Sequence, residues 1–164
     1  MSLDAKAVAD ERSAMSELHD AVAGRLAEST SRYTAGRRRL VETLARSERP
    51  MTLPDIVASD PGIAPSSAYR NLDVLEQSGV IRRINSSGDH AHFELAEPLV
   101  VHHHHLICLG CGKILDVQLD DALERAVDAG LAKAAAKADF VPSHHTLDLY
   151  GWCSDCQALG RHLG

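Results

Sequence analysis

HHHHLICLGCGK, from His102 to Lys113, is the stretch that decides how this chain folds. Four consecutive histidines run into a Cys-x-x-Cys turn, Cys108-Leu-Gly-Cys111. The remaining two of the chain's four cysteines form a second such turn, Cys153-Ser-Asp-Cys156. Each turn offers two thiolates to one tetrahedral metal, Gly110 and Gly112 ease the tight backbone, and two turns together close a four-sulfur site with no open position. Such a site stabilises and does not catalyse. A redox dithiol or a pair of disulfides is the alternative, and structural zinc explains two complete knuckles better. The polar N-terminus, Met1-Ser2-Leu3-Asp4, leads into no apolar signal core, so the expected compartment is the reducing cytoplasm.

If the histidine run continues into a strand, alternate side chains point to opposite sides, His103 and His105 one way, His102 and His104 the other. Two separate metal sites then become possible, with Glu124 and His145 as further ligands of the right type. Taken singly, any one of these is as well read as a satisfied or exposed histidine. His144 and His162 are read that way.

Working outward, a chain of 164 residues holds one ordinary domain or two small ones with thin cores. Its 45% hydrophobic and 24% charged residues are those of a globular protein, and no apolar run approaches the ~18 residues of a membrane span. The net charge of −6 is unevenly spread: from Arg25 to Arg83 ten arginines face seven acids, a locally basic segment able to meet phosphate.

That segment patterns as helices. Met15, Leu18, Val22 and Leu26 make an apolar stripe in a helix over 4–28. Thr34 caps a second helix running to about Arg46, and Thr52-Leu-Pro-Asp55 resembles a capping box opening a short third. From Pro65, a helix with Ala68, Leu72 and Leu75 on its stripe runs to Gly79, leaving Ser66, Ser67, Tyr69 and Arg70 outside it. These four, with Arg37 on the second helix, are the candidate DNA-contacting residues. An ordinary three-helix core with a solvated face fits the same pattern. A hairpin follows, Val80–Asn85 and His90–Leu95 about a turn at Ser86-Ser-Gly88, so the whole reads as a winged helix. Alternation places Ala91, Phe93 and Leu95 on one face of its second strand and His90, His92 and Glu94 on the other, a face that binds metal or meets water.

The composition changes near Pro98. The expected division is a winged-helix domain over 1–97 and a small α/β domain over 98–164. The latter has strands at 106–108, 113–117 and 146–150 and a helix over 120–137. The fold class is α+β.

The order of these motifs resembles the ferric uptake regulator family. The resemblance is carried by Ala68-Tyr-Arg-Asn-Leu72, the wing Phe93-Glu-Leu95, the histidine run with Cys108 and Cys111-Gly-Lys113, and His145 with Gly151-Trp-Cys153-x2-Cys156. It implies a homodimeric, metal-activated repressor that binds a palindromic duplex operator through Tyr69 and Arg70, with metal as corepressor. The C-terminal domain would dimerise, and Cys108, Cys111, Cys153 and Cys156 would hold structural zinc. Glu94, His103 and His105 would form a regulatory hinge site, and His102, His104, Glu124 and His145 an accessory one.

The chain departs from the family in places. The loop before the third helix reads Glu48-Arg-Pro-Met51, with no histidine ligand, and the linker before the histidine run is longer than in ferric members. The zinc members' extra cysteine is missing. These departures leave the regulatory ion open between zinc and iron, with manganese and nickel as further candidates. His19, on the apolar stripe of the N-terminal helix, is the expected replacement ligand, with His90 and His92 as alternative donors. A peroxide sensor of the same family, or a metal storage or delivery protein, is the competing reading. An enzyme is not expected, since the His-Glu-x-x-His pattern of zinc hydrolases is absent.

Overall fold

The computed structural model describes residues 3–86, 90–97 and 99–161. Ser87 and Gly88 of the expected wing turn, Pro98 at the expected domain boundary, and His162 lie outside the described residues. The chain divides into two compact units, residues 1–101 and 102–164.

In the first unit, α1 (Leu3–Glu28) buries Val22 and Leu26 completely and packs Leu18 beside them, the C-terminal part of the expected stripe. The Thr34 side chain caps α2 (Ala35–Ala45) by accepting from the Arg37 backbone N–H, and Leu40, Val41 and Leu44 face the core. A two-residue strand, β1 (Met51–Thr52), leads into α3 (Leu53–Ser59). The expected capping box is present there. Thr52 accepts from the Asp55 N–H, and the Asp55 carboxylate accepts from the Thr52 N–H at 3.2 Å. In α4 (Pro65–Gln77), Ala68, Leu72 and Leu75 are buried, as their spacing requires.

The wing is β2 (Ile81–Ile84) and β3 (His92–Leu95), antiparallel with Arg82 opposite Glu94. β1 adds to the far side of β3, giving the order β1-β3-β2. The alternative in which the polar face of β3 meets water is corrected here: all four β3 residues are buried, His92 and Glu94 included. The burial follows from β3 being the central strand. A buried carboxylate needs a counter-charge, and Arg82 supplies it, with Nε and Nη2 at 2.7 and 2.6 Å from Glu94 Oε1.

The second unit holds β4 (His104–Cys108), β5 (Ile114–Val117), α5 (Asp121–Ala136), β6 (Asp148–Gly151) and α6 (Ser154–Ala158). The first Cys-x-x-Cys turn joins β4 to β5 as an antiparallel hairpin. α5, capped by Asp120, is the crossover that brings β6 parallel to β4, so the order is β5-β4-β6. One face of this sheet carries Leu106, Leu115 and Leu149, all exposed, and α5 buries nothing. Among the described residues, the buried hydrophobic side chains of this unit are Ile107, Ile114, Cys108 and Cys156. Four side chains are a thin core. No helix among the described residues is long and apolar enough to cross a membrane.

Candidate metal centres and nucleic-acid interface

Cys108 ends β4, Cys111 follows in the turn, Cys153 is the N-cap of α6 and Cys156 lies on that helix. Their four sulfurs lie within 4.8 Å of one another. Two glycines make the first knuckle possible. A Cβ on Gly110 would stand 2.8 Å from the Cys156 sulfur, and Gly112 has φ 73°, which disfavours any side chain. Burial raises the Cys108 thiol, but hydrogen bonds from the backbone N–H groups of Cys153, Cys111 and Gly110 prevail and bring it down to about 6. Burial and the three neighbouring thiols push Cys156 up to about 12. Four thiolates this close repel one another unless a cation sits among them, and the all-sulfur set is that of structural zinc.

His102, His104, Glu124 and His145 gather on one side of β4, their ligand atoms also within 4.8 Å. Glu124 sits centrally: Oε2 is 3.0 Å from His104 Nε2, and Oε1 is 3.2 Å from both His102 Nε2 and His145 Nε2. Yet the buried atoms His104 Nδ1, His145 Nε2 and Glu124 Oε1 make no hydrogen bond. Buried polar atoms close together but misaligned for hydrogen bonding are costly unless something else satisfies them, and three imidazoles with one carboxylate suit a divalent borderline metal. The hydrogen bond from His104 holds the Glu124 carboxyl below its usual range against its burial, and the charges of His104, His102 and His145 add to that.

His103 and His105 lie together on the other side of the run, ring centroids 5.1 Å apart. With Asp116 they offer ligand atoms within 4.8 Å of one another. Asp116 is directly across from His105 in the β4–β5 register, and its Oδ1 is 3.9 Å from His105 Nε2. The sequence reading missed Asp116. Counting outward from the Gly110–Cys111 turn of the hairpin would have found it. Asp148, adjacent to His105 on β6, was missed as well. Glu94 belongs to the first unit, where it pairs with Arg82.

His19 is not brought to a metal-type cluster. Among the described residues, the groups of three or more candidate ligands do not contain it. Its Nδ1 is 2.7 Å from the Tyr33 hydroxyl and its Nε2 3.2 Å from Glu42 Oε1, so both ring nitrogens are engaged. This arrangement corrects the ligand expectation: His19 is a hydrogen-bonded histidine at the edge of the first unit's core. Burial and the Arg38 charge lower its pKa, against Glu42. Burial also raises the Tyr33 phenol to about 12. Of the alternative donors, His92 is buried beside Ser86, 3.5 Å from its hydroxyl, and His90 is exposed. Neither falls in a candidate ligand group among the described residues.

On α4, Ser66, Tyr69 and Arg70 are exposed, Tyr69 by 58%, and Ser67 is half-buried with its hydroxyl donating to the Ala64 carbonyl at 3.1 Å. The three consecutive arginines of α2 are held separately. Arg37 donates to the Arg32 carbonyl, Arg38 lies 5.0 Å from the Tyr33 ring centroid, and Arg39 makes a two-point ion pair with Asp60. The last ties α2 to the loop before α4. An exposed tyrosine and arginine on the second helix of a helix-turn-helix are suited to base edges and phosphates.

The sequence model described as the ferric uptake regulator family matches residues 28–150. The chain belongs to the ferric uptake regulator family. Its members are transcription regulators rather than enzymes. Among relatives, a ferric uptake regulation protein of Synechococcus elongatus is 35% identical over 99 residues, 58% of this chain and 60% of that protein. The chain thus spans about three fifths of that relative's length. The peroxide operon regulator of Bacillus subtilis is 29% identical over 141 residues, 84% of this chain and 92% of its own. In structure, the Helicobacter pylori ferric uptake regulator, described as having three functional metal-binding sites, superposes with a TM-score of 0.67 at 26% identity. It covers 87% of this chain and 93% of its own. The ferric uptake regulator family thus spans iron and peroxide regulators close to this sequence.

Proposed function

We propose that the chain is a metal-dependent DNA-binding transcriptional repressor that acts as a homodimer in the cytoplasm, with a divalent metal as corepressor. One observation carries this reading. Two groups of ligand-type side chains are built on opposite sides of one strand, β4, which begins directly after the unit that bears the exposed α4 face. In this account His103, His105 and Asp116 hold the regulatory metal and Glu94, contributed by the first unit, completes it. His102, His104, Glu124 and His145 hold the accessory metal, and the four cysteines hold zinc. The domains divide close to Pro98.

The metal supplies a fixed coordination geometry. Glu94, whose Oε1 pairs with Arg82, would offer its carboxylate to that metal, and the first unit would thereby be held at one angle to the second. Tyr69 and Arg70 then reach base edges and phosphates, Arg37, Ser66 and Ser67 lie alongside, and a palindromic operator meets two copies in successive major grooves. The exposed leucines Leu106, Leu115 and Leu149 suit burial against a second copy of this unit, whose own core is thin. Histidines and carboxylates together accept zinc or iron, and manganese or nickel also fit. A second reading, peroxide sensing through an iron-loaded His103–His105–Asp116 site, is favoured by the length of the match to the Bacillus regulator.

The test is binding to duplexes selected from a random-sequence pool, with zinc, iron(II) or manganese and then with chelator. Metal should tighten binding by about 5–150-fold. His103→Ala with His105→Ala should abolish that gain while structural zinc remains. Arg70→Ala should weaken binding at every metal concentration. Equal affinity with and without each metal would contradict the reading.

A further inference from the structure

We propose that Asp148 is a positioning residue that fixes which nitrogen of His105 faces the metal. The inference rests on the reading of His103, His105 and Asp116 as the regulatory site. β6 comes from far along the chain, yet its parallel register sets Asp148 directly beside His105. There Asp148 Oδ1 is 3.0 Å from His105 Nδ1, while Nε2 is the nitrogen on the side of Asp116. A carboxylate accepts a proton-bearing nitrogen and repels a lone pair. Asp116 Oδ1, at 3.9 Å from Nε2, is too far to hydrogen-bond, so Asp148 at 3.0 Å prevails and favours the Nδ1–H tautomer, leaving Nε2 to ligate beside His103.

His105 is fully buried, so water does not compete for this choice. A neutral imidazole free to exchange tautomers would spend part of its time with a proton on the ligating nitrogen, and its ring would be free to turn. The carboxylate removes both losses and makes the imidazole a stronger donor. The accessory site repeats the device in weaker form. Asp128 Oδ1 is 3.2 Å from His145 Nδ1, but that carboxylate is 63% exposed against 31% for Asp148. Solvent screens the more exposed pair, so Asp128 matters less.

The experiment uses the full-length protein with its cysteine zinc retained and the other metals removed by a mild chelator. Histidine ring nitrogen NMR reports the tautomer of His105, and zinc titrated against a competing chelator, followed at the His103 and His105 signals, reports affinity. At a pH where only one ring nitrogen of His105 carries a proton, wild type should show that proton on Nδ1. Asp148→Ala should lose that preference and weaken zinc by about 10–100-fold. Asp148→Asn, which keeps an acceptor, should retain the tautomer and lie between them. Cysteine zinc should be retained in both, and Asp128→Ala should weaken zinc at His145 by less. Unchanged zinc affinity in Asp148→Ala, while His105→Ala loses it, would overturn the proposal, as would a wild-type proton on Nε2. Unchanged affinity in His105→Ala would instead overturn the regulatory site itself.

Discussion

His19 is a case where residue type suggested one chemistry and packing gave another. A histidine on an apolar stripe must be satisfied somehow, and the stripe cannot say by what. Here Tyr33 and Glu42 satisfy it, 14 positions along and on the next helix. The sign of its pH effect follows. Its pKa in the fold lies below the ordinary 6.5 because burial and Arg38 disfavour the cation, while Glu42 and Asp20 pull the other way. The unfolded chain thus binds the extra proton first. The stabilising contribution is full above pH 6.5 and is lost as pH falls through the folded value. Stability of the first unit to denaturant should therefore weaken as pH falls below 6.5, less steeply in His19→Gln than in wild type. Identical slopes would show that His19 does not titrate as described. His19→Gln should also leave the regulatory metal affinity unchanged, and a large loss would restore it as a ligand. Asp148 was illegible for a related reason: it joins His105 through the register of a strand distant in sequence, whereas Asp116 could be counted out across the local hairpin.

At the scale of elements, most of the first unit could be read from its residues, because long amphipathic helices and side-chain caps leave local marks. The Thr34 cap, the Thr52–Asp55 box and the Ala68–Leu72–Leu75 stripe all reappear in the structure. β1, of two residues, and α6, of five, are too short to show a period, and their existence depends on partners distant in sequence. The second unit depends on its knuckles more than on its elements. Among the described residues its buried aliphatics are Ile107 and Ile114 and α5 buries nothing, which is little apolar surface with which to order itself alone. Zinc bound by four thiolates supplies apparent folding free energy of about 10 kcal/mol or more. Cys156→Ser should therefore release the zinc and abolish the cooperative melting of residues 102–164 while the first unit still unfolds cooperatively. Circular dichroism with metal analysis checks it, and a zinc-free variant with an unchanged second transition would contradict it.

For the whole molecule, the account is one of linkage between two units that the sequence joins through the histidine run. Glu94 is compensated by Arg82 inside the first unit, and His103, His105 and Asp116 are assembled inside the second. If a metal engages both sets, it selects one arrangement of the units, and an operator that needs that arrangement must bind the metal-loaded protein more tightly. Reciprocity then applies without further assumption: DNA must strengthen the metal by the same factor that metal strengthens DNA. A storage or delivery protein predicts no such coupling. The direct measurement is the zinc or iron(II) affinity of the regulatory site, by chelator competition, with and without a saturating selected duplex. The account predicts tighter metal binding by about 5–150-fold when DNA is present, and loss of that gain in Glu94→Ala. Metal affinity that does not change on adding DNA would contradict it.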